Sequence, residues 1–283
     1  MIARADHLWL EEVEGRLPLH VLEFRWDGFE PGLVCYDTVR AEEVSLALDS
    51  ADLVVGSRKR CVGRFEGERY VPCPYGAAVT RFSQCGKCAA EVFIEDQECI
   101  FDPKCEGERC DNEFCKRPHV LYLAFYGTMP KVGMSSTRRV ERRLVEQGAD
   151  AFAIIGTYPN RFRAREAEKA ISAETGLPQW YKQQTILANF SRPLDVAGIE
   201  ARYGELKQVL EAREGCSVES LRPISGYPLA LPLPGVPQLQ ETPGMHRGRL
   251  LGVKGKWLLY DSHGLRALSM PDLVGRFVSR GLP

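Results

Sequence analysis

The placement of cysteine constrains this chain more than any other feature. Eight of its ten cysteines fall between Cys61 and Cys115, in a stretch rich in Gly, Pro and polar residues. Such a segment has too few apolar side chains to build a core and needs a metal or another staple. The candidate ligands are Cys61, Cys73, Cys85, Cys88, Cys99, Cys105, Cys110 and Cys115, with His119 just behind. Cys85-Gly-Lys-Cys88 has the C-x2-C spacing of a zinc knuckle, where two thiolates share one tight turn and backbone N–H groups point at the sulfurs. Eight thiols fit two four-cysteine sites by count. One site with spare thiols fits nearly as well, and Cys105, Cys110 and Cys115 followed by His119 suggest a site of three cysteines and one histidine. Zinc would act structurally here, contributing ~10–16 kcal/mol in small peptides at neutral pH. A site closed by four sulfurs leaves no position for a reactive water. Cys35 and Cys216 stand apart in apolar surroundings and read as core thiols.

Nothing near Met1 reads as a secretory h-region, and the longest apolar run, near Ala151, falls far short of the ~20 residues of a membrane span. The expectation is a cytoplasmic protein without membrane association, in a compartment where clustered thiols ligate metal rather than pair. Apolar residues at 44% suffice for packed cores. The net charge of −1 excludes a uniformly basic nucleic-acid protein but not a local basic face.

Four segments follow from composition and periodicity. Residues 1–58 are β-rich, with strands over Leu17–Phe24, Gly32–Tyr36, Val44–Asp49 and Leu53–Val55. Residues 59–118 form the cysteine-rich module. Residues 119–195 alternate: strands Val120–Phe125, Lys131–Met134 and Ala151–Tyr158, a helix Thr137–Gln147 stopped by Gly148, and a helix Arg163–Thr175 stopped by Gly176. Residues 196–283 hold a helix over 197–214, a Pro/Gly-rich linker from Pro223 to Gly244, and a C-terminal hairpin, Arg249–Val253 with Lys256–Tyr260, that would join the N-terminal strands. The fold class is α+β.

Within 119–195 the order of motifs is His119-Val-Leu-Tyr-Leu-Ala124, Lys131-Val-Gly133, Arg143-Leu-Val-Glu-Gln-Gly-Ala149 and Arg165-Glu-Ala-Glu168. This ordered set resembles the core of a GIY-YIG nuclease, and more closely an uncharacterised family that joins a cysteine-rich zinc module to such a core. The resemblance covers about residues 60–185. It implies a three-stranded antiparallel sheet flanked by helices, and metal-assisted phosphodiester hydrolysis. Tyr122 would orient or deprotonate the attacking water. Arg143, with Arg139 and Arg142 as rivals, would hold the scissile phosphate through its charged planar fork. Glu168 would bind one Mg2+ or Mn2+ through oxygen. Lys131 stands where that fold carries a second tyrosine, and would meet phosphate as a point charge.

Arg138, Arg139, Arg142, Arg163 and Arg165 are the expected nucleic-acid contacts, with Arg161 beside them. Tyr158, Phe162, Trp180 and Tyr181 are nearby aromatics for stacking on unpaired bases. The sequence therefore predicts a zinc-stabilised endonuclease acting on DNA or RNA. The alternative is a nucleic-acid- or RNA-binding protein that keeps the fold without cleavage. A zinc scaffold for protein partners is a third reading.

Overall fold

The structure is a computed structural model that describes residues 17–67, 69–90, 97–109, 113–213 and 215–281. Cys110 lies outside the described residues. Along the chain run β1 (Leu19–Asp27), β2 (Glu30–Asp37), β3 (Glu42–Ala47), β4 (Ala51–Val55), β5 (Arg64–Glu66), β6 (Arg69–Val71) and helix α1 (Gly86–Ala90). Then come α2 (Glu113–Lys116), β7 (His119–Tyr126), β8 (Met129–Ser136), α3 (Val140–Gln147), β9 (Ala151–Tyr158), α4 (Arg161–Thr175), α5 (Gln183–Asn189) and α6 (Val196–Glu211). The chain ends with β10 (Arg222–Pro223), β11 (Gln238–Leu239), β12 (Gly244–Lys254), β13 (Trp257–Asp261), β14 (Leu265–Ser269) and β15 (Phe277–Arg280). Among the described residues no helix is long and apolar enough to cross a membrane.

The chain divides into two compact units, and not at the borders of the four sequence segments. The first joins Met1–Phe93 to Pro237–Pro283, and the second is Ile94–Val236. The cysteine-rich stretch is thus cut in two, with Cys61, Cys73, Cys85 and Cys88 in the first unit and Cys99, Cys105 and Cys115 in the second.

The first unit is built on a nine-stranded sheet of order β11-β14-β13-β12-β4-β15-β1-β2-β3. Strand β4 is wedged between β12 and β15, so that Val54 faces both Met245 and Ser279. This interleaving gathers the two ends of the chain into one sheet. Its core includes Val21, Cys35, Val55, Leu258 and Val278, all fully buried. The indole N–H of Trp26 donates to the Gly255 carbonyl at 2.9 Å, tying β1 to the β12–β13 turn. Cys35 is the core thiol expected, and burial pushes its pKa up to about 12.

The second unit holds a four-stranded sheet of order β10-β9-β7-β8. Strands β9, β7 and β8 pair antiparallel, and the two-residue strand β10, at the start of the stretch read as a linker, adds an edge on β9. Every residue of β7 is buried, because both faces are covered. Leu121, Leu123 and Phe125 pack with Ala164 and Ile171 of α4 and Ile199, Leu206 and Leu210 of α6. Val120, Tyr122, Ala124 and Tyr126 point the other way, onto Val140 and Leu144 of α3. Helix α3 stops at Gly148 in the left-handed region, as its sequence predicts. Helix α4 begins at Arg161, two residues earlier than expected, because the Asn160 side chain caps it by accepting from the Arg163 N–H.

Candidate metal centre and polar site

Cys61, Cys73, Cys85 and Cys88 form one cluster in the first unit, with all four sulfurs within 4.8 Å of one another. Among the described residues this is the one such group of three or more Cys, His, Asp or Glu ligand atoms. Cys85 and Cys88 come from the start of α1. Cys61 and Cys73 come from the loops flanking the β5–β6 hairpin. The Cys73 and Cys85 sulfurs are 4.0 Å apart, and tetrahedral zinc with Zn–S bonds of about 2.3 Å would set sulfurs ~3.8 Å apart. The donor set therefore fits zinc: soft, four in number and compact.

Backbone N–H groups orient the sulfurs. The Cys85 N–H donates to Cys61 Sγ at 3.2 Å. Gly63 also bonds the Cys61 sulfur through its backbone. Its φ of +72° suits only glycine, and a Cβ there would collide with the Val71 carbonyl. Burial raises the Cys61 and Cys88 thiols above their ordinary range. Burial also opposes ionisation of Cys73, but the N–H groups of Ala77 and Tyr75, with the neighbouring thiols, bring it down to about 7. The Cys73 proton leaves readily, while those of Cys61 and Cys88 are resisted as long as the charge is uncompensated. A central dication would relieve that conflict.

Among the described residues the remaining sulfur candidates are not gathered this way. Cys99 and Cys105 are half-buried and Cys115 is buried, and none of the nine described cysteines is in a disulfide. Arg161, expected on a basic surface, is buried instead. It donates to the Cys99 carbonyl at 2.7 Å, lies 3.9 Å from Cys115 Sγ and sits over the Phe114 ring. His119 places Nδ1 2.8 Å from the Arg117 carbonyl, and its buried Nε2 has no hydrogen-bond partner among the described residues.

The second unit carries Tyr122, Lys131, Arg143 and Glu168. Tyr122 is 1% exposed, and its hydroxyl donates weakly to Gln147 Oε1 at 3.4 Å. Tyr126 donates to the same oxygen at 3.2 Å. Burial raises the Tyr122 pKa, the Arg143 charge and Gln147 lower it, and the Glu168 charge raises it again. The phenol is thus protonated at neutral pH, able to orient a partner but not to abstract a proton. Gly133 lies directly across from Tyr122, and a Cβ there would sit 2.7 Å from the Tyr122 ring. The glycine of Lys-Val-Gly makes room for the tyrosine.

Glu168 is 5% exposed and its carboxyl is raised by burial, opposed by Arg165, Lys131 and Lys169. Arg165 bonds Glu168 at 2.6 Å and Gln179 at 2.7 Å, with Asp102 at 3.3 Å. That guanidinium, expected as a nucleic-acid contact, is engaged by side chains of its own unit. Arg163 pairs with Glu106 at 2.7 Å. Arg139 and Arg142 share Glu146 at 2.9 and 3.1 Å, and Arg143 reaches it at 3.7 Å. Arg138 is exposed. Trp180 is exposed, whereas Tyr181 is tied to the Pro130 carbonyl at 2.7 Å. Gln147 was missed from sequence, although it lies four residues beyond Arg143 on the same helical face.

The fold and the clustered thiols define a sheet-rich protein of mixed α and β structure with a cysteine group that could hold zinc. The family model described as "Protein of unknown function (DUF2797)" matches residues 53–276. The chain belongs to that family. No curated protein and no solved structure matches it.

Proposed function

We propose that the second unit handles nucleic-acid phosphodiesters in the manner of a GIY-YIG nuclease, with the first unit stabilised by a structural zinc on Cys61, Cys73, Cys85 and Cys88. The observation that carries the proposal is electrostatic: Tyr122, on β7, responds both to Arg143 on α3 and to Glu168 on α4. Tyr122 thus feels two groups that, with it, span 47 positions of the chain. Arg143 holds the phosphate and offsets the charge gained as a nucleophile adds. Tyr122 acts as a neutral hydrogen-bonding group that orients water. Lys131, 8% exposed and felt by Glu168, supplies a fixed positive charge beside the carboxylate. Glu168 would hold a Mg2+ or Mn2+ ion, which supplies charge neutralisation at the phosphate. As a lone carboxylate it suits an ion that keeps waters and takes the remaining oxygens from substrate.

One observation favours the second reading, a nucleic-acid-binding protein without cleavage. Glu168 already has a partner, Arg165 at 2.6 Å, and a metal would compete with that guanidinium for the carboxylate. Incubation of the full chain with labelled structured DNA and RNA, with and without Mn2+, separates the two. The nuclease reading expects Mn2+-dependent cleavage that falls at least ~100-fold in Glu168→Gln and in Arg143→Ala, with urea stability within about 1 kcal/mol of wild type for the exposed Arg143. Salt-dependent binding without cleavage leaves the binding module. Neither cleavage nor binding rejects both.

A further inference from the structure

The first unit contains a cavity of about 770 Å3 that its sheet and its cysteine cluster share. Its volume falls within the ~300–1,000 Å3 of small-molecule sites. Cys61 and Cys73 form part of the wall, so one edge of the four-sulfur cluster borders the space. The remaining wall has two chemical characters. Tyr36 and Tyr70 supply one aromatic pair, with ring centroids 5.0 Å apart and tilted by 51°. His20 and Phe277 supply another, stacked at 4.7 Å and 16°. Arg58 and Arg60 also line the cavity, and no Asp or Glu does so among the described residues. Arg60 is held in place by donating to the Gly76 carbonyl at 2.9 Å, and a guanidinium has five N–H donors in a rigid fork.

This combination is specific. A purely structural pocket beside a metal cluster needs neither two arginines nor two aromatic pairs. Aromatic walls select a planar, π-faced ligand. Arginines suit an anion, and phosphate matches their fork geometry. We propose that the cavity binds a nucleotide, its base against the tyrosine and His20–Phe277 walls and its phosphate on Arg58 and Arg60. The cavity is lined by residues of the first unit, and its occupancy does not require cleavage by the second. The nucleotide comes either free or as an unpaired unit of a single strand, and the same chemistry serves both.

The test uses the full-length, zinc-loaded protein without added Mg2+ or Mn2+. Adenosine, AMP, UMP and GMP are titrated by calorimetry, and labelled single-stranded octanucleotides by anisotropy. Saturable binding is expected, with nucleotide favoured over nucleoside. Tyr36→Ala should weaken nucleotide binding ~10-fold, in line with the loss of one stacking face. Arg58→Gln, at an exposed side chain, and Arg60→Gln should erase the preference for nucleotide over nucleoside. Zinc content and the urea midpoint report whether each variant is folded, and Arg58→Gln keeps the test intact if Tyr36→Ala is not. Binding of mononucleotides identifies a free ligand, whereas binding of octanucleotides alone identifies a strand. Absence of both overturns the proposal. So does binding indifferent to all three substitutions, which would place the ligand elsewhere. Cleavage assayed in parallel with Mn2+ keeps the two readings apart: cleavage retained with pocket binding absent removes this proposal alone.

Discussion

Gly133→Ala offers a sharp test of how the second unit is packed, because two effects of opposite sign compete and the structure decides between them. Gly133 lies inside β8 with an ordinary extended backbone, outside the positive-φ glycines. On backbone grounds alone alanine should stabilise by about 0.4–1 kcal/mol, by narrowing the unfolded ensemble. A Cβ at this position, however, meets Tyr122 Cζ and Oη at 2.7 Å and Cε2 at 2.8 Å, where ~3.5–4.0 Å is comfortable. The ring would have to move by roughly an ångström. It has nowhere to go: Tyr122 is 1% exposed and wedged among Val120, Ala124, Val140 and Leu144. Overpacking of this kind costs about 1–3 kcal/mol, so against the backbone gain of about 0.4–1 kcal/mol the net effect should be a loss of about 0–2.6 kcal/mol. Native-state amide exchange at Leu121 and Leu123 reads that loss within the second unit. In a Tyr122→Leu background the same alanine should be neutral or stabilising, giving a coupling of about 1 kcal/mol or more. If Gly133→Ala stabilises the otherwise wild-type chain, the close approach of Gly133 and Tyr122 is refuted, and with it the placement of the phenol.

Two other outcomes are expected. Metal analysis should return one zinc per chain on Cys61, Cys73, Cys85 and Cys88; Cys73→Ala should lose it, and chelation should unfold the segment around β5, β6 and α1, since bound zinc is worth ~10 kcal/mol or more to such modules. A metal-free chain with that segment intact rejects the centre, and two zinc ions per chain would assign the second to the thiols and His119 of the second unit. Burial holds the His246 pKa below its usual value, against the pull of the Thr242 carbonyl, while Tyr260 bonds its other ring nitrogen at 3.0 Å. Below an unfolded pKa of about 6.5 the unfolded chain takes up the extra proton, so this group's stabilisation is complete above that pH and is lost as pH falls, by at most ~1.4 kcal/mol per unit. Urea midpoints between pH 7.5 and 5.5 should fall less steeply in His246→Gln than in wild type, and parallel slopes would reject the assignment.

Much of the second unit was legible in the sequence because its signals are local. Ala151–Tyr158 reads as a strand and is one, and Gly148 and Gly176 end their helices in the left-handed region. Helix α5, Gln183–Asn189, was missed, since its seven residues carry no side-chain N-cap to announce them. The polar site was legible by type but not by state. A tyrosine, an arginine and a glutamate could be picked out by motif. That Tyr122 is buried beneath Gln147, and that Arg165 takes Glu168 before any ligand does, depends on which side chains meet across separate elements.

The residue types by themselves determined that a thiol-rich, core-poor stretch calls for a metal, because sulfur count and the scarcity of apolar side chains are properties of composition. Only the tertiary structure decided which thiols converge. Cys61 and Cys73 reach the Cys85–Cys88 knuckle across 24 and 12 positions of chain, while Cys99, Cys105 and Cys115 fall in the other compact unit. The same holds for β4, which lies between strands from the far end of the chain. Strand pairing and metal closure are set by distances between segments remote in sequence, and local periodicity carries no record of them.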